Sequence, residues 1–379
     1  MNVDLMNSCD ESCVETAEFF GSLWFRAVPR SGWTEYLIGA IPGRDFVPSR
    51  WAADLENFLL ETGAVVVEMD GFGDAERVGE TKKAFENVLG PGFPASWMIR
   101  SGNGEVGTGG ILIRAVFGVE VKPVMLGERV LGYQFEDDFA AWCYLGALVP
   151  ANSAVDGALQ TEEVMETILS CLAKVGMNFR DVIRTWYYLD GILDWYGDFN
   201  RARTEFFNRH DVFSRMMPAS TGIGIANDSG GLVLAKVHAC RAKSERFSVS
   251  VADSPLQCSA YAYGSAFSRA ARVVSGGADI LHISGTASIA PGGESDHLGD
   301  VGAQIQLTME VVDAILTKSG MRWCDTVRGI AYFRDANELH RWETVRKEWG
   351  IPAHAVLAVH ADVCRDDLLF ELELEAAKP

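Results

Sequence analysis

Apolar positions along the chain switch between two spacings, one suited to strands and one to helices, and the switch recurs three times. The first round opens with the extended run WTEYLIGAIP from Trp33. Ser49 to Thr62 then carries Trp51, Leu55, Phe58 and Leu59 at helical spacing, which predicts an amphipathic helix. AVVVEMDGFGD predicts a strand closed by a glycine-rich turn. A second helix is expected over Ala75 to Leu89, then FPASWMIR, a glycine-rich turn over Gly102 to Gly110, and the closing strand ILIRAVFG.

The second round runs FAAWCYLGALVP, a helix from Thr161 to Val175 with Thr161 as its expected N-cap, and the strand DVIRTWYYLD. A helix over Ile192 to Asn208 follows, with Trp195, Phe199, Ala202 and Phe206 on one face, and then MPASTGIGI and LVLAKVHACR. The third runs ILHISGTASIAP, a helix from Val301 to Ser319, TVRGIAYFRD, a helix over Ala336 to Trp349, IPAHAVLAVHADV and LLFELELEA. Each round sets a Pro-Ala step after its second helix: Pro94-Ala95, Pro218-Ala219 and Pro352-Ala353. Each unit is about 110–130 residues, an ordinary domain size. Two helices would cover one face of each sheet, and three bare faces would bury one another around a pseudo-threefold axis. The expectation is an α+β chain of three modules: a degenerate N-terminal one over 1–127, a second over 128–262 and a third over 263–379. Ser244 to Arg269 is too rich in Tyr and apolar residues for a flexible linker and reads as an ordered loop between the last two.

Composition narrows the function. With 52 Asp and Glu against 33 Lys and Arg, the formal net charge is −19, which argues against a nucleic-acid partner. A local basic pocket for a small anion remains compatible with that total. No run of about 18 apolar residues predicts a membrane span, and the acidic N-terminus does not read as a signal peptide, so a cytoplasmic location is expected. The eight cysteines are scattered and are expected as free thiols. Cys9 and Cys13 have no second pair nearby and are not expected to hold zinc. Neither Gly71-Phe72-Gly73 nor the later glycine run fits a nucleotide-binding loop. His297, His354 and His360 lack metal-ligand spacing, and His297 is expected to cap or bridge a turn.

In LLFELELEA, Glu371 and Glu373 alternate with apolar residues and share one strand face. The ordinary reading of such a face is a solvated one. The closing strands of the first two rounds, ILIRAVF and LVLAKVH, carry no carboxylate, so the acids are a peculiarity of the third. Arg184, Arg203, Arg269 and Arg365 offer bidentate partners for a carboxylate-bearing ligand.

SGTASI, Gly299-Asp300, a helix with Gln304, TVRGIAYFRD and the closing LLFELELEA resemble the RidA (YjgF) family, whose small members are homotrimers with sites between subunits. The three rounds would then be RidA/YjgF-like (chorismate-mutase-like) modules imitating that trimer in one chain. Over most of 130–377 the chain is similar to the chorismatase branch of that superfamily, through VIRTWYYLD, FNRART, FSRA, ISGTASI, His297-Leu298-Gly299-Asp300 and ADVCRDDLL. It departs from that pattern in a short SAYAYGSAFSRA and in Ala290-Pro291-Gly292-Gly293, both near the expected substrate position.

The resemblance implies cleavage of chorismate, or a close analogue, to pyruvate and a hydroxybenzoate or dihydroxycyclohexadiene carboxylate, in secondary metabolism and without metal or organic cofactor. It places the catalytic acid on Glu371 and residues linked to product choice on Cys364 and Ala270. The expected substrate-binding set is Arg184, Tyr187, Arg203, Arg269, Ala270, Ser284, Gly285, Thr286, Cys364 and Arg365. Arg184 and Arg269 are the preferred carboxylate clamps, and Glu373 is expected to be structural. The site should lie between modules two and three of a monomer or low-order homo-oligomer acting on a small anion. Two alternatives stay open: a RidA-like imine or enamine hydrolase or tautomerase, against which His354 after Pro352-Ala353 counts, and a non-catalytic ligand-binding protein.

Overall fold

The computed structural model describes residues 18–42, 47–100 and 109–378. Cys9, Cys13 and most of the Gly102 to Gly110 turn lie outside the described residues.

The first sheet holds β1 (Glu18–Phe20), β2 (Leu23–Pro29), β3 (Thr34–Ala40), β4 (Val65–Gly73), β5 (Ser96–Ile99) and β6 (Gly110–Phe117). The second holds β7 (Lys122–Leu126), β8 (Arg129–Glu136), β9 (Ala140–Leu148), β10 (Val182–Leu189) and β11 (Ala219–Ile223). The two-residue β12 (Ala226–Asn227) crosses back to pair with β5, and β13 (Val233–Ala242) completes the second sheet. The third is built of β14 (Phe247–Val251), β15 (Ala270–Ser275), β16 (Ala278–Ala287), β17 (Thr326–Phe333), β18 (Val356–His360) and β19 (Phe370–Lys378).

The strand orders coincide. They read β2-β3-β6-β4-β5, β8-β9-β13-β10-β11 and β15-β16-β19-β17-β18, with β1, β7 and β14 added at one edge. In each sheet only the last pair of the repeated order is parallel, β4 with β5, β10 with β11 and β17 with β18. A register bulge recurs at one place, just before Glu68, Arg184 and Arg328. The expected α+β chain of three related modules is borne out. Strand pairing puts β7 in the second sheet and β14 in the third, so both precede the expected limits at 128 and 263. Part of the expected 244–269 loop is therefore a strand; FSVSV alternates apolar and small polar residues, as an edge strand does.

The helices are α1 (Pro48–Thr62), α2 (Ala75–Leu89), α3 (Gly157–Lys174), α4 (Ile192–Arg209), α5 (Val301–Lys318) and the short α6 (Arg341–Glu348). Thr161 is not the cap of α3. Asp156 is, accepting from Leu159 N at 3.0 Å, while Thr161 lies one turn inside and donates to Gly157 O. Asp300 caps α5 in the same way through Ala303 N. His297 takes a left-handed backbone in the turn before it, and its carbonyl accepts from Gln304 Nε2. No helix among the described residues is long and apolar enough to cross a membrane.

Each helix pair packs on its own sheet. Leu55, Phe58 and Phe85 fill the first core, Ile168, Phe199 and Phe206 the second, and Met309, Ile315 and Phe333 the third. A further cluster draws on all three sheets, with Phe72 and Leu112, Trp186 and Tyr188, and Ile330 and Tyr332 meeting at the centre. Beside it the inner faces turn ionic. The residues after the bulges, Glu68, Arg184 and Arg328, lie opposite Arg114, His238 and Glu375 in register.

The ion pairs run between modules. Lys236 binds Asp70 and, at 3.1 Å, Glu68; Arg328 reaches Asp70 at 2.6 Å; Arg114 reaches Glu375 at 2.7 Å; Arg184 reaches Glu373 at 2.8 Å. Acids and bases from different sheets thus pair across the module boundaries. Removing one partner of such a buried pair leaves the other charge uncompensated, which is strongly destabilising.

Candidate active site

β19 runs down the middle of the third sheet, between β16 and β17. Its alternation turns Glu371, Glu373 and Glu375 to the inner face and Phe370, Leu372, Leu374 and Ala376 to the helices. The face that composition suggests is solvated is therefore buried: Glu371 is 4% exposed, Glu373 1% and Glu375 3%. Glu373 and Glu375 each have an arginine from another module, Arg184 and Arg114. Among the described residues, Glu371 forms no ion pair.

Glu371 instead opens onto a pocket between modules two and three. Module two supplies Tyr196 of α4 and Ser220 and Gly222 of β11. Module three supplies Phe267, Arg269, Gly285, Cys364 and Arg365 around the carboxyl. Burial, helped by the neighbouring Glu373 charge, pushes the Glu371 carboxyl up to about 8, against the pull of Arg184 and Arg269. At neutral pH that carboxyl carries its proton. Burial and the Glu371 charge push the Cys364 thiol up to about 12, which suits a lining group rather than a nucleophile.

The two modules are stitched beside the pocket. Ser220 N donates to Ser284 Oγ at 2.9 Å, and Ser284 Oγ donates to Ser268 O at 2.6 Å. Gly285 N donates to Thr221 Oγ1 at 3.0 Å, and the same oxygen accepts from Arg184 Nη2 at 2.6 Å. A Cβ on Gly285 would stand 1.9 Å from Glu371 Oε1, so only glycine lets the carboxyl lie there. Gly285→Ala is expected to displace that carboxyl and lower turnover by about a hundredfold or more, with the fold retained. Steady-state kinetics beside a far-ultraviolet spectrum checks this.

The expected residues separate into three groups. Glu371, Gly285, Arg269, Cys364 and Arg365 meet at the pocket. Arg269 lines it while donating from Nε and Nη2 to the Cys258 carbonyl at 3.1 and 3.0 Å, and Arg365 donates to Gly293 O at 2.8 Å. Behind the lining, Ser284 and Thr286 are fully buried, Ala270 sits in the third core, and Arg203 packs over Phe199 and Phe267 while donating to Asn200.

Two expectations are corrected. Arg184 does not line the pocket; its guanidinium is held by Glu373 and Thr221 and stacks on Trp186. Tyr187 points to the other face of β10, into the second core against Phe199. Tyr196 and Ser220 are pocket residues the sequence reading missed. Tyr196 falls within the expected helix over Ile192 to Asn208 and Ser220 within MPASTGIGI, and nothing in their spacing marks them as lining.

A metal does not suit the neighbouring buried trio His238, His282 and Glu375, whose ligand atoms lie within 4.8 Å of one another. Glu375 is bound by Arg114, His238 by Glu68, and Arg328 stands 3.7 Å from Glu375, so a cation there would meet like charge.

Residues 134–237 match the family model described as Chorismatase FkbO/Hyg5-like, N-terminal. The resemblance is to the chorismatases. A chorismatase of Streptomyces rapamycinicus is 29% identical over 265 residues, covering 62% of this chain and 76% of that protein. A 3-hydroxybenzoate synthase of Streptomyces hygroscopicus is 28% identical over 274 residues, covering 65% and 76%. A chorismatase crystal structure aligns with a TM-score of 0.65 over 92% of this chain and 100% of its own, at 20% identity, which shows a shared fold.

Proposed function

We propose that this chain cleaves the enolpyruvyl ether of chorismate, or of a close analogue, in secondary metabolism. The products are pyruvate and a hydroxybenzoate or dihydroxycyclohexadiene carboxylate. The observation that carries the reading is a buried carboxyl, protonated at neutral pH, facing a pocket lined by two arginines. The names of the chorismatase and 3-hydroxybenzoate synthase relatives support the substrate class.

The chemistry follows from the group that must be protonated. An enol ether is unreactive to water until its methylene carbon accepts a proton. Glu371, as the acid, donates there, and the adjoining carbon becomes an oxocarbenium centre. In the hydrolytic course water adds to that carbon and returns a proton to the Glu371 carboxylate. The resulting hemiketal collapses, the ring oxygen leaves with the bonding electrons and a proton, and pyruvate is released. Arg269 and Arg365 supply positive charge for the substrate carboxylates. Arg184, expected as a clamp, serves in this reading to hold Glu373.

The test is incubation with chorismate under a pyruvate-coupled assay at neutral pH without added metal. Pyruvate is expected in proportion to protein, with one ring acid formed per pyruvate. Absence of pyruvate across the neutral range overturns the reading.

A further inference from the structure

We infer that Glu373 is a positioning residue that keeps the Glu371 carboxyl in its proton-bearing form, through a fixed negative charge on the same strand face. The inference rests on the proton-donor reading of Glu371 and deepens it.

The two residues are one strand repeat apart, about 6.6 Å along extended chain, and both point inward. Glu373 is held from two sides by β10: Trp186 Nε1 donates to its Oε1 at 2.9 Å and Arg184 Nη2 to its Oε2 at 2.8 Å. Arg184 Nη2 also donates to Thr221 Oγ1, which accepts from Gly285 N, the residue against which Glu371 Oε1 rests. The same string of contacts thus fixes the anion and seats the acid. The Arg184 pair and the Trp186 hydrogen bond anchor the Glu373 carboxylate on this dry face, and an anion at that place disfavours a second one at Glu371.

Further titratable groups face Glu371 from the elements packed against it, and α4 brings the Tyr196 phenol to the same pocket. β10 brings Arg184, the residue before β15 is Arg269, and both favour the anion. The segment before β19 brings Arg365, whose guanidinium turns to Gly293 O, and the Cys364 thiol, held uncharged at neutral pH. β17 brings Tyr332 in register, a phenol that burial holds uncharged. Among these neighbours Glu373 is the one anion, so removing its charge leaves two cations unopposed at Glu371.

The test is the pH dependence of pyruvate release by the wild type, Glu373→Gln and Glu371→Gln. Glutamine keeps the acceptor for Trp186 and the side-chain volume but not the charge. In Glu373→Gln the alkaline limb is expected to move acidward by about one to two pH units, with the acid-side plateau retained and KM little changed. A limb left in place, with turnover lowered equally at every pH, overturns the inference and makes Glu373 a structural residue. Glu371→Gln separates the two readings. If it retains wild-type turnover, the proton-donor reading fails; if it is inactive and the Glu373→Gln limb is unmoved, only this inference fails. Should Glu373→Gln not fold, Glu373→Leu with Arg184→Met removes the pair together. Its limb is expected to move acidward by less, because Glu373 outweighs Arg184 at Glu371. An unmoved or alkaline-shifted limb in that variant also overturns the inference.

Discussion

Glu371→Gln is expected to lower pyruvate release by about 10²–10⁴-fold, the range over which a positioned general acid contributes, and at the same time to stabilise the protein in alkaline buffer. The two effects have one cause. In the folded chain the Glu371 carboxyl is raised from 4.5 to about 8. Between those values the folded state holds a proton that the unfolded chain has lost. Stability therefore falls as pH rises through that window. Below about pH 4.5 this penalty is missing, and above about pH 8 it is complete, of order 5 kcal/mol for a carboxyl this deeply buried. Glutamine never ionises and escapes it. Thermal melts should show the variant ahead of the wild type at about pH 9 and the gap closing toward about pH 5. Wild-type activity should decline above about pH 8 for the same reason. A variant that loses activity without this alkaline gain would mean that Glu371 is not the buried acid described.

Lys236→Met should produce the largest loss of stability, about 3–5 kcal/mol. Lys236 is fully buried and binds two acids of another module, Asp70 and Glu68. Methionine fills the space but leaves those acids short of a cation, with Arg328 and His238 to hold them. Burial pushes the Asp70 carboxyl up, so part of the loss is met by its taking a proton. Pairing Lys236→Met with Asp70→Asn should recover much of the loss, because the pair is then removed rather than broken. Urea midpoints for the single and double variants measure both.

The repeated pattern of strands and helices was readable because each helix buries an apolar stripe on its own sheet, a local matter that spacing records. Glu371 was readable because alternation along FELELE sets it on a face that the other two closing strands leave without acids. That the face is buried was not readable. It follows from Arg114 and Arg184, which lie 261 and 189 residues from their acids, and no local pattern announces such a partner. Arg184 misled for this reason, since its guanidinium is taken up by Glu373. Tyr187 is a different case. It stands three residues from Arg184 on one strand, so period-two alternation already puts the two on opposite faces. Tyr196 and Ser220 reach the pocket through the docking of module two on module three, which sequence spacing does not encode.

The three sheets share one strand order, yet the inner position filled by Glu371 is filled by Leu234 in the second sheet and Gly110 in the first. A homotrimer of one repeated module would have forced every crevice to carry the same chemistry. Joined in one polypeptide, two crevices are at liberty to serve as glue. An inhibitor mimicking the cleaved ether should accordingly saturate at a single equivalent per chain, with no cooperativity between like sites.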